Sequence, residues 1–342
     1  MSKKFAALLP VLLVAVTAFG ARPAFAAGEV NVYSYRQEVL IRPLLDRFTK
    51  KTGIEVNIIF AKKGMIARLK AEGANSPADA ILTVDAGRLI RAKQAGVLQP
   101  VRSTILTNSI PAQYRDPEGY WFGLTVRARP IIYSRARVKP SSLSTYAALT
   151  EPKWKGRICI RSSGNIYNQS MLAAMIARNG AARTEAWARG LVANFARRPK
   201  GGDRDQIRAV AAGLCDIAIV NTYYLAGMIS SKRASDRAAA SKVQIFWPDQ
   251  KGHGTHVNIS GAGVTKSAKN RSNAIKLLEF LVSDEAQLIY ASKVYEYPVK
   301  PGVAVSKVLG AWGPFRADKL ALAVLAKHNA EAVRVADRAG WR

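Results

Sequence analysis

Three histidines and two cysteines are the whole stock of imidazole and thiol groups in 342 residues. Cys and His show no zinc-binding spacing, and neither a nucleophile elbow nor a paired set of acid–base carboxylates occurs. Those absences argue against catalysis. Acidic residues are scarce too: 23 Asp and Glu face 52 Lys and Arg, for a formal net charge of +29. Such a surplus attracts anions, acidic membrane surfaces and nucleic acid. The basic residues are scattered, however, with small clusters only at Lys50-Lys51 and Arg197-Arg198. A single-strand nucleic-acid groove interleaves basic residues with aromatics. This chain has no such stripe, so no nucleic-acid partner is expected and a solvated basic surface accounts for the charge.

Only one long apolar run is present, and it stands at the start. Lys3 and Lys4 precede an apolar stretch from Phe5 to Gly20, and Ala24-Phe25-Ala26 forms a small-x-small cleavage site. This is the pattern of a secretory signal peptide. A bilayer span needs ~20 apolar residues, and the stretch is shorter. Residues 1–26 are therefore expected to be removed and the other 316 exported. Lys3, Lys4 and Arg22 leave with the leader, so the mature chain carries +26. A chain of this length usually divides into two domains. In an exported protein two cysteines point to a disulfide rather than a metal site. Cys159 and Cys215 each lie in a strand-like run, RICIRS and LCDIAIV, which adjacent strands could bring together.

Strand and helix signals alternate. EVNVYSY (29–35) reads as a strand, and 38–52 as a helix with Leu40, Ile41, Leu44, Leu45 and Phe48 on one stripe, stopped by Gly53. Further strands are expected at 54–61 and 78–85, with a short helix over 64–72. Such alternation implies a parallel sheet covered on both faces. The passage 120–138 breaks the rhythm, with Pro130 at its middle, and reads as a crossover to a second lobe. The alternation then restarts: a strand at GRICIRS, a long helix over 168–195 broken near Gly180, a strand at LCDIAIVN, a helix through Met228 and a strand at KVQIFWPD. THVNISGAGVTKSA (255–268) reads as the return crossover, followed by two helices with Ser283 as the cap between them, and a tail from 301 that looks mainly helical. Two α/β lobes joined by two crossing strands leave a cleft, and ligands in such folds sit at strand carboxyl ends beside helix N-termini.

Three tyrosines share that placement. Tyr223 and Tyr224 follow the strand LCDIAIV and open a helix, and Tyr167 follows the turn after GRICIRS. Helix N-termini favour anionic groups. A phenol ionises near pH ~10, and a hard trivalent cation pulls that value down while taking phenolate oxygen as a hard ligand. Taken alone, aromatics in a strand-to-helix turn are more often packing, and that account of the tyrosine pair outweighs the functional one. Arg36 lies where the first strand meets its helix, and Arg127 and Arg129 lie in the first crossover. Arginines fork onto planar anions. Asp85 reads as a cap for the helix after it, and His253 and His256 as structural residues near the return crossover.

The stretches EVNVYSYRQ, SPADAILTVDAGRL, WFGLTVRAR, RICIRSSGNIYNQS, GGDRDQIRAVAAGLCDIAIVNTYY and HGTHVNISGAGV resemble the periplasmic ferric-ion-binding proteins of bacterial iron uptake transporters. The likeness covers nearly the whole mature chain. It implies an α/β, two-lobed type II periplasmic binding-protein fold, with an N-terminal lobe of 27–127 and 254–300 and a C-terminal lobe of 128–253 and 301–342. It implies that Tyr167, Tyr223 and Tyr224 are ligands to Fe3+, that Arg36 and Arg127 hold a synergistic carbonate or bicarbonate, and that Cys159 and Cys215 match positions paired in relatives. It further implies a monomeric periplasmic carrier, not an enzyme, delivering iron to an ABC transporter permease in the inner membrane. One departure narrows the ligand set. Some relatives carry a His or a His-Tyr pair where this chain has Gln37 and Glu38, so a three-tyrosine site completed by an exogenous anion is expected, and the sequence leaves open whether Tyr35 adds a ligand. Two other readings remain: a carrier of an organic or phosphate-like anion using the arginines alone, and an exported protein that binds polyanions through its surface charge.

Overall fold

A computed structural model describes residues 28–342, so the expected leader at 1–26 lies outside the described residues. In chain order the strands are β1 (Glu29–Ser34), β2 (Glu55–Phe60), β3 (Ala80–Thr83), β4 (Phe122–Ala128), β5 (Ile131–Ser134), β6 (Ile158–Cys159), β7 (Ile217–Ile219), β8 (Val243–Phe246), β9 (Val257–Val264) and β10 (Tyr297–Pro298). They form two sheets, one of order β10-β4-β9-β3-β1-β2 and one of order β6-β7-β5-β8. β1 pairs in parallel with both β2 and β3, as strands linked by helical crossovers must. β9 runs antiparallel between β3 and β4. Among the described residues, no helix is long and apolar enough to cross a membrane.

The first helix, Glu38–Thr52, buries Ile41, Leu44, Leu45 and Phe48. Phe48 meets Phe280 at 5.6 Å between ring centroids, which ties that helix to Arg271–Leu281 under the same sheet. The expected break at Gly180 separates helices Ile166–Asn179 and Ala181–Ala193, the glycine standing at φ 81, where a Cβ would be strained. Ser283 does cap the helix Asp284–Ile289, its hydroxyl accepting from Ala286 N–H.

Two departures from the sequence reading have local causes. Helices Asp203–Ala211 and Ala234–Ser241 precede and follow the tyrosine pair, and the alternation of strand and helix signals does not single them out. Both are short and polar at one end, so their apolar stripe is thin. The tail is helical only over Lys307–Gly310 and Leu322–Arg338. Pro301, Gly302, Gly313 and Pro314 keep the intervening chain irregular, with both glycines at positive φ.

The chain passes from the larger sheet to the smaller between β4 and β5, and returns between β8 and β9. The two crossings touch: Arg129 N–H donates to the His256 carbonyl at 3.0 Å. The buried Tyr146 hydroxyl pins them further, donating to the Arg129 carbonyl at 2.7 Å and accepting from His256 N–H at 3.2 Å. Burial holds the His256 imidazole neutral, its pKa lowered to about 3.

Cys159 of β6 and Cys215, two residues before β7, are bonded, with Cα atoms 5.9 Å apart. The bond closes a loop of 56 residues, which in the chain-entropy treatment restricts the unfolded chain by roughly 4 kcal/mol. Replacing both cysteines with serine is expected to lower the unfolding free energy by about that amount, read from urea unfolding followed by circular dichroism.

Candidate metal centre

Three helices begin at one place. Ala86–Gln94 comes from the larger-sheet side, and Ile166–Asn179 and Thr222–Ile229 from the smaller. Each follows a strand or strand end, the place where ligands sit in such folds, and their first turns meet through Ser170–Asp85 and Tyr167–Tyr223 contacts. Asn165 caps the second helix, its side-chain oxygen accepting from Tyr167 N–H at 3.0 Å. Asp85 caps the first, as expected, accepting from Gly87 N–H at 2.8 Å. Asp85 also accepts from Ser170 Oγ at 2.8 Å and from Asn258 Nδ2 at 2.9 Å. That places the first two helix N-termini in direct contact, and Gly87 lies so near Ser170 and Ile166 that an added Cβ would stand 3.6 Å and 3.7 Å from them.

All three expected tyrosines converge here. The Tyr167 and Tyr223 hydroxyl oxygens are 3.1 Å apart. The rings of Tyr223 and Tyr224 lie 4.2 Å apart between centroids. Tyr167 is buried, while Tyr223 and Tyr224 are half-buried and keep part of their surface open. Burial pushes the Tyr223 phenol well above its ordinary range, and the Tyr167 and Tyr224 phenols add to the push. Burial raises Tyr224 as well, reinforced by Tyr167 and Asp203. At neutral pH both hold their protons unless a cation displaces them. The Tyr35 hydroxyl accepts from Ile66 N–H at 3.1 Å, at the start of another helix.

Arg36 and Arg127 both reach Ser260, Arg36 through Nη2 and Arg127 through Nη1 at 3.1 Å. Arg127 also donates to the Val84 carbonyl and lies 3.5 Å from Asp85. Strand alternation places Arg127 and Arg129 on one side of their strand, and both guanidiniums do flank the Tyr167 ring, at 5.3 Å and 6.0 Å from its centroid. Their polar contacts diverge. Arg129 donates to Asn168 at 2.6 Å and Asn221 at 3.1 Å, residues beside the tyrosine helices.

Sequence reading misses two buried carboxylates and one arginine. Glu296 accepts from Arg36 Nη2, 2.7 Å from each carboxylate oxygen, and from the hydroxyls of Thr125 and Ser260. Burial opposes its charge, but Arg36 and Arg127 outweigh burial and hold its carboxyl below the usual range. Asp203 lies 4.0 Å from Arg129 and 3.7 Å from Arg161. Burial raises its carboxyl against the pull of both. Arg161 also stacks on Tyr167, 5.4 Å from its centroid. The signal available for Asp203 is an acidic residue in the first turn of its short helix, directly after Gly201-Gly202. Glu296 has none, because it follows a π-helical turn, Tyr290–Val294, and a left-handed Tyr295.

The charges nearly cancel. Arg36, Arg127, Arg129 and Arg161 face Asp85, Asp203 and Glu296, which leaves one positive charge with the phenols neutral. Three phenolates would neutralise a trivalent ion in full, so the same single positive charge would remain for an anion. The oxygen-only donor set, without thiolate, suits a hard cation.

Residues 75–315 match the family described as bacterial extracellular solute-binding protein. Iron uptake protein A1 of Synechocystis sp. (strain ATCC 27184 / PCC 6803 / Kazusa) is 48% identical over 315 residues, covering 92% of this chain and 88% of that one. The structure of a Trichodesmium protein (IdiA, FutA) in complex with iron and citrate ligands matches with a TM-score of 0.88 at 53% identity, over 92% of this chain and 100% of that one. Apo ferric ion-binding protein A of Pasteurella haemolytica matches with a TM-score of 0.87 at 45% identity, over 92% of this chain and 98% of that one. The two-sheet architecture is thus the two-lobed type II fold expected from the sequence. The chain belongs to the family of bacterial extracellular solute-binding proteins, in which iron uptake and ferric-ion-binding proteins are its relatives.

Proposed function

We propose that this protein is the extracytoplasmic binding component of an iron ABC transporter, which captures ferric ion and delivers it to an inner-membrane permease. The observation that carries this reading is the meeting of Tyr167 and Tyr223 oxygens at 3.1 Å, with the Tyr224 ring beside them, at two adjoining helix N-termini. Core packing has no need for phenol oxygens at strand ends, and buried like groups this close gain from a shared cation. In this reading Tyr167, Tyr223 and Tyr224 are the iron ligands, and Arg36 and Arg127 hold the synergistic anion. The anion is carbonate or bicarbonate in the reading from sequence; citrate is a second candidate, since it accompanies iron in the Trichodesmium protein. The protein binds and releases rather than transforms. It acts in the periplasm as a monomer, after loss of residues 1–26. The lobes divide as 27–127 with 254–300 and 128–253 with 301–342, and hinge about the crossing strands.

The rival reading, a carrier of a free organic or phosphate-like anion, is weakened by the pairing of Arg36 with Glu296 and of Arg127 with Asp85. An anion arriving alone finds both guanidiniums already matched.

Titrating iron-free protein with ferric citrate in bicarbonate buffer is expected to produce a visible phenolate-to-iron charge-transfer band. Tyr223→Phe combined with Tyr224→Phe is expected to abolish it. Tyr167→Phe is expected to weaken binding by about a hundredfold or more, since even the positioning partners of ligands are worth ~10–100-fold. A wild-type protein that binds iron without such a band would defeat the assignment.

Metal binding displaces protons from its ligands. Because the Tyr223 and Tyr224 phenols are raised, both are protonated in the iron-free protein at neutral pH and must ionise on loading. Affinity therefore rises with pH and falls on acidification. Calorimetry in buffers of different ionisation heat should show fewer protons released per iron in Tyr223→Phe than in wild type, by about one. Equal release in the two proteins would show that Tyr223 does not ionise.

A further inference from the structure

We propose that Glu296 is a built-in counter-anion that keeps the anion seat closed to free anions until iron arrives. The proposal rests on the ferric reading above and concerns the chemistry of the same cleft.

The Glu296 residue is 1% exposed. A carboxylate at that depth is costly unless its charge is matched, so its position is a specific arrangement rather than surface chance. Tyr297 and Pro298 of β10 pair with Val126 and Thr125 of β4, the strand that carries Arg127. The left-handed Tyr295 turns the chain just before. Glu296 is thereby delivered against Arg36 at 2.7 Å, with the Thr125 and Ser260 hydroxyls holding its oxygens. Ser260 links this pair to Arg127 at 3.1 Å, and Arg127 has Asp85 at 3.5 Å. Each arginine of the seat thus has an internal carboxylate, and the four groups together carry no net charge.

The pairing does not fill the seat. Among the described residues, every side-chain hydrogen bond of Arg36 is made by Nη2, which leaves Nε and Nη1 for a second acceptor. The block is electrostatic. A free anion gains little from a neutralised pair and competes with a tethered carboxylate that is always present. A ferric ion held by the phenolates changes this, because a bound ion is the largest local charge and offers the anion a bond that Glu296 need not surrender. Oxyanions such as phosphate, present wherever cells grow, would otherwise occupy bare arginines in the empty cleft.

The test is calorimetric binding of inorganic phosphate to the iron-free protein at low ionic strength. Wild type is expected to bind weakly. Glu296→Gln keeps the shape and one acceptor oxygen, replaces the other with an NH2 that cannot accept from Arg36, and exposes a full positive charge; it is expected to bind phosphate at least about tenfold tighter, with a steeper loss on adding salt. Loss of structure could not produce that gain. Glu296→Asp, which withdraws the carboxylate from Arg36, is expected to gain a few-fold and decides the matter should Glu296→Gln fail to fold. Phosphate affinity that is unchanged in the folded variant overturns the proposal. Wild-type iron loading, followed by the visible band, reports separately: a band without any phosphate gain sinks only the role of Glu296, and a phosphate gain without a band sinks the ferric reading.

Discussion

Two phenol oxygens 3.1 Å apart in a partly buried cleft cannot both carry negative charge unless a cation neutralises them. At the effective dielectric that describes protein sites, two unit charges at that separation repel by roughly 5 kcal/mol. Burial adds to this by withdrawing water from Tyr223 and Tyr224. Helix N-termini and four arginines act in the opposite direction, lending positive potential to the place where the oxygens meet. The carboxylates of Asp85, Asp203 and Glu296 cancel most of that potential. Without a cation the phenols of Tyr223 and Tyr224 therefore keep their protons, and a small highly charged ion can displace them. A site with more uncompensated arginine would ionise its phenols early and fill with anions. One with less would hold its protons too firmly to exchange them.

Asp203 shows how the compensation is distributed. It opens the helix Asp203–Ala211 and lies between Arg129 and Arg161, both of which flank the Tyr167 ring. One carboxylate thus serves two guanidiniums that would otherwise repel each other. Arg129 is itself lowered, burial outweighing the pull of Asp203. The arginine therefore depends on that carboxylate, and on Asn168 and Asn221, for its charge to be tolerated. Those two asparagines stand beside Tyr167 and Tyr223, so the support of the arginine and the aim of the tyrosines share backbone.

Much of this was legible in the residues, for identifiable reasons. Period-3.6 stripes over 38–52 and the break at Gly180 announce helices because burial of one face and a glycine at positive φ leave marks in sequence. The convergence of Tyr167 with Tyr223 and Tyr224 was legible because all three follow a strand and open a helix, and parallel topology brings such points together. The arginines were legible as cations near a cleft, but their partners were not. Glu296 reaches Arg36 across 260 residues of chain through a π-helical turn and a left-handed tyrosine, which have no period to detect. The helices Asp203–Ala211 and Ala234–Ser241 escaped for a different reason, being short enough that a few polar residues mask the apolar face.

The crossings and the site are built from the same strands, and this constrains how the lobes can move. β4 presents Arg127 and runs directly into Arg129, while β9 presents Asn258 and Ser260 and begins one residue after His256. The contact between the crossings, Arg129 N–H to the His256 carbonyl, lies one or two residues from side chains that meet the anion seat or the tyrosine helices. Tyr146 clamps that contact from the side with its buried hydroxyl. Rotation of one lobe against the other about these peptides must therefore turn the residues that aim Arg127 and Arg129. Arg36 on the larger sheet lies near enough to Tyr223 on the other side for their charges to interact, so anything that draws the two together pulls across the same pair of strands. A rotation about these peptides would therefore be coupled to cargo capture, because in β4 and β9 the residues that reach the tyrosines and Arg36 adjoin the crossing contact.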